Sequence, residues 1–317
     1  MNAPTDSGTF GLPPAKGRMR GRFRWAFALL LAVLVYGSHA PLIALCKVSG
    51  KVPFSSSSVV VLVELTKLSA STALLLARDR GSLGSASLRA ALPFALPAAL
   101  YAANNNLVVH MQRHMDPVTF QVLSNLKIVA TAAFHSLLLR QRLSPRRWLA
   151  LLLLTAAGAC QAGGGLGGEG EDTRPYLTPL GAVAVAAYCS ISGLSAVCTE
   201  RALKSQPLPL SLQNLFLYAV GLAINSAAHL ASSPAGGFFE GYSAWVGVIV
   251  ATQALNGLLM SAVMKYDSSI TRLFLISCSM LVNAALSVLL FQLQLTPLFF
   301  VAVGLICVAI HLYYRVR

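Results

Sequence analysis

The sequence predicts an all-α integral membrane protein with ten transmembrane helices in two inverted five-helix repeats. Of its 317 residues, 56% are hydrophobic and only 11% are charged, whereas a soluble globular chain carries about 25% charged residues. Apolar runs of about 20 residues, the length a helix needs to cross the hydrocarbon core of a bilayer, recur along the whole chain. These two observations exclude a water-soluble enzyme.

The apolar runs divide the chain into two blocks of five spans. A basic N-terminal arm occupies residues 1–24, and a Gly-rich, acidic linker at 165–175 separates the first repeat (25–164) from the second (176–317). We place the spans at residues 25–46, 57–77, 90–109, 117–138, 147–164, 176–199, 210–231, 243–264, 271–292 and 296–314.

The distribution of basic residues supports this count and predicts that both termini are cytosolic. With a cytosolic N-terminus, eighteen Lys and Arg residues fall in cytosolic segments, and only Lys47, Lys51, Arg113 and Arg174 fall on the opposite side. Such an excess is typical of cytosolic loops. A missed span would reverse every later loop and remove the asymmetry. The net charge of +14 therefore reflects membrane topology rather than nucleic-acid binding.

An odd number of spans in each half makes the second half enter the membrane from the opposite side. Inverted repeats of this kind are common in secondary transporters, whose substrate site lies between the halves. A weak internal match agrees with this: Lys127 lies in the fourth span and Arg272 opens the ninth, while Gly158 and Gly304 occupy the fifth and tenth.

Charged residues inside a membrane need a partner or a function. Glu64 and Lys67 are three residues apart in the second span, so they share one helix face. They form either a structural ion pair that fixes helix packing, or a pair in which Lys67 also lines a polar path.

Lys127 belongs to a polar helix face that also carries Gln121, Ser124 and Asn125. No acidic residue lies nearby in the sequence to neutralise it. This favours a cavity with an anionic ligand over the alternative, a tertiary ion pair with Glu64.

Three further polar groups are unusual for membrane spans. The consecutive asparagines at 104–106 are expected to line a wet cavity or to bond to helix backbones, and Asn214 and Tyr218 share a face of the seventh span. The hinge at 265–272 is either a simple cytosolic loop or an anion site. In the second case, a helix beginning near Ser269 would direct free amides at the anion beside Thr271 and Arg272.

Constellations typical of catalysis or cofactor binding are missing from the sequence. The six histidines are scattered, no paired carboxylates converge, and the six cysteines contain no C-x-x-C pair. We therefore expect neither an enzyme nor a bound metal or cofactor.

Several motifs together resemble the nucleotide-sugar transporter family of the drug/metabolite transporter superfamily, and most closely the branch with CMP-sialic acid and UDP-galactose carriers. They follow the family order across nearly the whole chain. The stretches are 63–68 (VELTKL), 101–106 (YAANNN), 120–128 (FQVLSNLKI), 200–204 (ERALK), 213–218 (QNLFLY) and 264–272 (MKYDSSITR).

The resemblance implies an antiporter of the Golgi membrane, or of the endoplasmic reticulum. It would exchange a cytosolic nucleotide sugar for a lumenal nucleoside monophosphate and so supply glycosylation. By position, the residues that match the family's nucleotide site are Lys67, Tyr101, Asn105, Lys127, Ser192, Asn214, Tyr218 and Arg272.

Departures from the family pattern leave the substrate open. Asn125 stands where a glutamine is usual, and Arg272 where a lysine is usual. UDP-, CMP- and CDP-linked sugars or polyols all remain candidates. An accessory subunit that regulates related transporters without transporting is the alternative function. Homo-oligomers and complexes with related transporters are both compatible with the sequence.

Overall fold

The computed structural model describes residues 15–47, 52–85, 87–111, 114–164, 177–232, 237–292 and 294–315. Within these ranges the chain is helical, with one isolated bridge between Met115 and Leu177. The predicted linker at 165–175 and residues 1–14 of the predicted arm lie outside the described ranges. The α-helices are α1 (Ala15–Gly37), α2 (His39–Leu45), α3 (Ser56–Arg78), α4 (Leu88–Met111), α5 (Pro117–Ser124), α6 (Lys127–Leu138), α7 (Pro145–Gly164), α8 (Pro179–Ser205), α9 (Leu210–Ser232), α10 (Ala244–Tyr266), α11 (Ser269–Phe291) and α12 (Pro297–Tyr314), and a 3₁₀ helix covers Arg80–Ser85.

Seven helical segments of the described chain are long and apolar enough to cross a membrane. They are α3, α8 to α12, and the segment Phe23–Leu45, which joins α1 and α2. Large apolar side chains on these helices face outward, as Val183, Leu289 and Phe300 do with more than 60% of their surface exposed. Such an apolar exterior is matched to lipid rather than to water.

The third, fourth and fifth predicted spans coincide with α4, with α5 and α6 together, and with α7. These helices are not among the seven segments that are long and apolar enough to cross a membrane. The three asparagines at 104–106 make α4 more polar, and α7 begins with two arginines in its first turn. The fourth span is divided at Asn125, but the break is shallow because Asn125 keeps right-handed helical backbone angles.

Contacts between helix ends define two faces of the molecule. The terminal face carries the start of the membrane segment Phe23–Leu45 and the end of α12. There the ring of Trp25 contacts Tyr266 at the end of α10, and Tyr314 of α12 hydrogen-bonds to Thr271 at the start of α11. The end of α8 joins the same face, because Lys204 donates to the carbonyl of Asp267.

The opposite face gathers the other ends of α8 and α10 with ends of α3, α4 and α9. Ser57 at the start of α3 hydrogen-bonds to His229 near the end of α9. Gly241, which precedes α10, has a positive φ of 73° and lies against the carbonyl of Pro53 before α3. Thr178 at the start of α8 bonds to a carbonyl that follows α4. The described chain therefore runs back and forth between two faces.

Helices of the two predicted halves pack against each other throughout the structure. The most extensive pairs are α7 with α12, α3 with α9, α4 with α8, and α6 with α8. In addition, α4 packs on α9, α1 packs on α10 and α11, and α3 packs on α10.

Two glycines within helices allow close approaches to backbone atoms of the other half. A Cβ added to Gly37 in α1 would lie 2.5 Å from the carbonyl oxygen of Ser279 in α11. A Cβ added to Gly193 in α8 would lie 2.8 Å from the backbone nitrogen of Thr131 in α6. Small residues at helix interfaces are typical of membrane proteins. Gly304, by contrast, has nothing within 4 Å of its added Cβ.

Candidate functional site

A cavity of about 390 Å³, here called the main cavity, lies between α1, α2, α3, α4, α8, α9, α10 and α11. Its volume is within the range of about 300–1,000 Å³ usual for small-molecule sites. It is lined mainly by polar and charged side chains, namely Tyr36, His39, Glu64, Lys67, Tyr101, Asn105, Thr199, Tyr218, Asn225, Thr252, Gln253, Asn256, Ser261 and Arg272.

Glu64 and Lys67 form an ion pair on the cavity wall. Their Oε1 and Nζ atoms are 2.6 Å apart, and Lys67 Nζ lies 4.4 Å from the centre of the Tyr218 ring. Two glycines leave room for the pair. An added Cβ would lie 3.0 Å from Glu64 Oε2 at Gly221, and 2.6 Å from Lys67 Cδ at Gly257. Lys67 therefore keeps a fixed position with its charge matched by Glu64.

Arg272 brings a further positive charge to the main cavity. It lies in the first turn of α11, near the terminal face, and its Nη1 donates a 2.8 Å hydrogen bond to the hydroxyl of Tyr101 in α4. Its Cζ is 5.8 Å from the centre of the Tyr101 ring. Among the described residues no carboxylate pairs with Arg272. The charged side chains that line the cavity therefore leave one positive charge unbalanced.

Three buried polar atoms of the main-cavity lining lack a hydrogen-bond partner in the described part of the chain. They are Nδ1 of His39, Oδ1 of Asn256 and Nε of Arg272. Leaving a buried polar group unsatisfied costs about 1–3 kcal/mol, and such groups are rare in folded proteins. A polar ligand in this cavity would recover that free energy.

A second cavity of about 220 Å³ adjoins the main one and contains Lys127. Lys127 is the first residue of α6, and Gln121, Ser124 and Asn283 line the same space. In the chain as described, Lys127 makes no ion pair with Glu64, which is bound to Lys67. Lys127 thus lines the second cavity and Arg272 the main one.

Three residues predicted for the site line neither cavity. Asn214 is buried in α9 with its Oδ1 unpaired. Ser192 lies in α8, where its carbonyl accepts a bond from Ser195. Thr271 belongs to the start of α11, where its hydroxyl bonds to Asp267. Of the predicted residues, those that line the main cavity are Lys67, Tyr101, Asn105, Tyr218 and Arg272, and those that line the second are Gln121, Ser124 and Lys127.

Sequence reasoning missed several cavity residues, notably Tyr36, His39, Gln253 and Asn256. Gln253 and Asn256 are three residues apart in an otherwise apolar stretch of α10. That spacing places both on one helix face, so the sequence could have identified them as candidate cavity residues. His39 follows Ser38 in the first span, and nothing in the sequence links it to Gln253, although their Nε2 atoms lie 3.1 Å apart.

A buried network closes the terminal face beside Arg272. Glu200 of α8 is fully buried, and its Oε1 accepts a 2.6 Å bond from Lys204. Its Oε2 accepts a 2.7 Å bond from the backbone N–H of Ser269 and lies 3.4 Å from His135 Nδ1. The carboxylate thus sits at the N-terminus of α11, where the helix dipole favours negative charge. We call these residues the terminal closure.

Solved structures show that this fold is shared. One crystal structure superposes with a TM-score of 0.72 at 16% identity, and the match covers 92% of this chain and 96% of that one. Identity at this level relates the folds alone.

Sequence comparisons cover nearly the whole chain. Curated relatives that bear the name probable UDP-sugar transporter protein SLC35A4 are 56% identical in Xenopus tropicalis, with 96% of both chains covered, and 54% identical in Bos taurus, with 96% of this chain and 98% of that one. The Homo sapiens relative is 53% identical over 96% of this chain and 98% of its own. These relatives are named as transporters, not as enzymes. The family model described as nucleotide-sugar transporter matches residues 26–314. The chain therefore belongs to the nucleotide-sugar transporter family.

Proposed function

We propose that the protein is an antiporter of the Golgi membrane that exchanges a cytosolic pyrimidine-nucleotide-linked sugar or polyol for a lumenal nucleoside monophosphate. One observation carries the proposal. The main cavity holds a guanidinium, Arg272, that has no acidic partner among the described residues. Guanidinium groups are well suited to phosphate, and the name of the relatives favours a UDP-linked ligand.

The remaining lining suits the nucleoside part of such a ligand. Tyr101 and Tyr218 supply aromatic rings against which a base can stack. Asn105 and Asn256 supply amides, which both donate and accept hydrogen bonds. UDP-, CMP- and CDP-linked compounds share these requirements, so the cavity favours the class rather than one member.

The helix pairings support two inverted repeats of five spans. In such an arrangement α1/α2 corresponds to α8, α3 to α9, α4 to α10, and α5/α6 to α11. Each contact between the halves should then have a counterpart: α4–α8 corresponds to α1/α2–α10, α4–α9 to α3–α10, and α6–α8 to α1–α11. All of these pairs are present. The close approaches at Gly37 and Gly193 are exchanged in the same way. Alternating access by rocking of the repeats follows from such an arrangement, with both termini in the cytosol.

Rocking of this kind needs a closure at each end. The terminal closure around Glu200 joins α6, α8 and α11. At the opposite face, Ser57 bonds to His229 and Ser58 bonds to Tyr242. Our mechanism requires one of these sets of contacts to break while the other holds.

Exchange in proteoliposomes tests the proposal. Vesicles that contain the purified protein and are preloaded with UMP or CMP would be offered labelled UDP-, CMP-, CDP- and GDP-linked compounds. We expect uptake of a pyrimidine-linked compound that requires nucleotide inside the vesicle and is lost in Arg272→Ala. The matched control is Arg142→Ala, which removes an exposed arginine outside both cavities. Folded protein without uptake of any compound would contradict the proposal and favour the accessory-subunit function.

A further inference from the structure

The two cavities meet at a single place in the fold, the junction of α1 and α2. Tyr36 and His39 are the charged or polar side chains that line both cavities. The second cavity, at about 220 Å³, is smaller than the roughly 300 Å³ at which separate small-molecule sites begin. It is therefore an extension of the main cavity rather than an independent site.

His39 presents an unused hydrogen-bond donor at this junction. Its Nε2 lies 3.1 Å from Nε2 of Gln253. An amide nitrogen only donates, so the imidazole accepts at Nε2, and its one proton in the neutral form is on Nδ1. Nδ1 is buried and has no partner in the described residues.

The side chains of the two cavities indicate which part of a ligand each cavity would hold. Arg272 and the rings of Tyr101 and Tyr218 suit a nucleotide in the main cavity, whereas the extension offers Gln121, Ser124 and Asn283 around Lys127. Amide and hydroxyl side chains suit a group rich in hydroxyls. A nucleotide that carries a sugar or polyol can fill both cavities, whereas a nucleoside monophosphate ends within the main one.

We infer that His39 is a specificity-determining residue, whose Nδ1–H donates a hydrogen bond to an oxygen of the linked sugar or polyol where the ligand passes from the main cavity into the extension. The inference rests on the proposed function and adds to it a residue that separates the two exchanged ligands. Recognition of the nucleoside monophosphate would not use this donor.

Two substitutions of His39 separate its two nitrogens. His39→Gln keeps a polar atom near the Nε2 position, where it can still contact Gln253, but removes the Nδ1 donor. His39→Asn places an amide near the Nδ1 position and gives up the contact with Gln253. The two variants are alike in polarity, so a general loss of folding would affect both.

Binding of UMP, CMP and a panel of UDP-, CMP- and CDP-linked sugars and polyols to purified protein, measured by calorimetry in detergent, tests the inference. We expect His39→Gln to bind the preferred linked compound roughly three- to tenfold more weakly, with the affinity for the matching nucleoside monophosphate unchanged. His39→Asn should retain the wild-type ratio of the two affinities. Equal losses for both ligands in His39→Gln, no loss at all, or the same selective loss in His39→Asn would each overturn the assignment.

The wild-type protein separates this inference from the function beneath it. Wild-type protein that binds none of UMP, CMP and the UDP-, CMP- and CDP-linked compounds would contradict the proposed function itself. Wild-type protein that binds a nucleoside monophosphate and a linked compound, together with a His39→Gln variant that keeps the wild-type ratio of the two affinities, would contradict the role of His39 alone.

Discussion

Nη1 of Arg272 in α11 donates a 2.8 Å hydrogen bond to the hydroxyl of Tyr101 in α4, so the first half of the chain positions the guanidinium of the second. A neutral phenol orients the guanidinium without cancelling its charge. In our account this contact keeps the buried guanidinium in position to bind a phosphate group. Because Arg272 belongs to α11, motion of α11 relative to α4 would also move the phosphate-binding group.

Removing the Tyr101 hydroxyl should weaken nucleotide binding without unfolding the protein. Tyr101→Phe keeps the ring against Arg272 but loses the acceptor, and a hydrogen bond that involves a charged group is worth about 1.5–3 kcal/mol. We expect UMP affinity to fall roughly tenfold or more, as measured by calorimetry. Tyr188→Phe, outside both cavities, is the control. Equal affinities for the two variants would show that the hydroxyl does not orient Arg272.

The space that Gly257 leaves for Lys67 should matter for both stability and binding. In Gly257→Ala the new Cβ would lie 2.6 Å from Lys67 Cδ, and overpacking of this kind costs about 1–3 kcal/mol. We predict a lower melting temperature in detergent and weaker UMP binding. Gly247→Ala, on the same helix with nothing within 4 Å of its added Cβ, should match the wild type. A harmless Gly257→Ala would mean that Lys67 has no fixed position.

The two glycines at the helix crossings should be equally intolerant of a methyl group. Gly37→Ala and Gly193→Ala each bring a Cβ within 3.0 Å of backbone atoms on another helix, and backbone cannot move aside cheaply. Both variants should lose thermal stability, whereas Gly304→Ala, which meets no atom within 4 Å, should not. Thermal unfolding in detergent measures this. A strong effect at one crossing and none at the other would argue against equivalent halves.

Glu200 should be far more sensitive to substitution than its partner Lys204. Glu200 is fully buried, and truncating it to Ala leaves the Ser269 N–H and Lys204 without their acceptor, a loss of about 3–5 kcal/mol for buried pairs. Lys204 has 36% of its side chain exposed, so water can replace it. We expect Glu200→Ala to melt at a much lower temperature than Lys204→Ala. Similar melting temperatures would contradict a structural role for the terminal closure.

Properties that depend on one helix at a time were predictable from the sequence. The apolar runs gave the positions of the helices, and the start of α11 fell at Ser269, as its polar hinge indicates. Helix periodicity alone puts Glu64 and Lys67 on one face, and they lie 2.6 Å apart. These features need only spacing along the chain.

Properties that depend on how helices are rotated against each other were not predictable. Lys127 and Arg272 each stood out as cations in apolar segments, but only the packing of α6 and α11 reveals that they line different cavities. His39 and Gln253 are separated by more than 200 residues and meet through helix packing. One sequence carries no information about such pairings.

A crystal structure of the protein with UMP tests the central claim most directly. The account predicts UMP in the main cavity, with its phosphate within hydrogen-bonding distance of Arg272 and its base against Tyr101 or Tyr218. UMP bound elsewhere, or a phosphate that contacts neither Arg272 nor another cation of the two cavities, would contradict it.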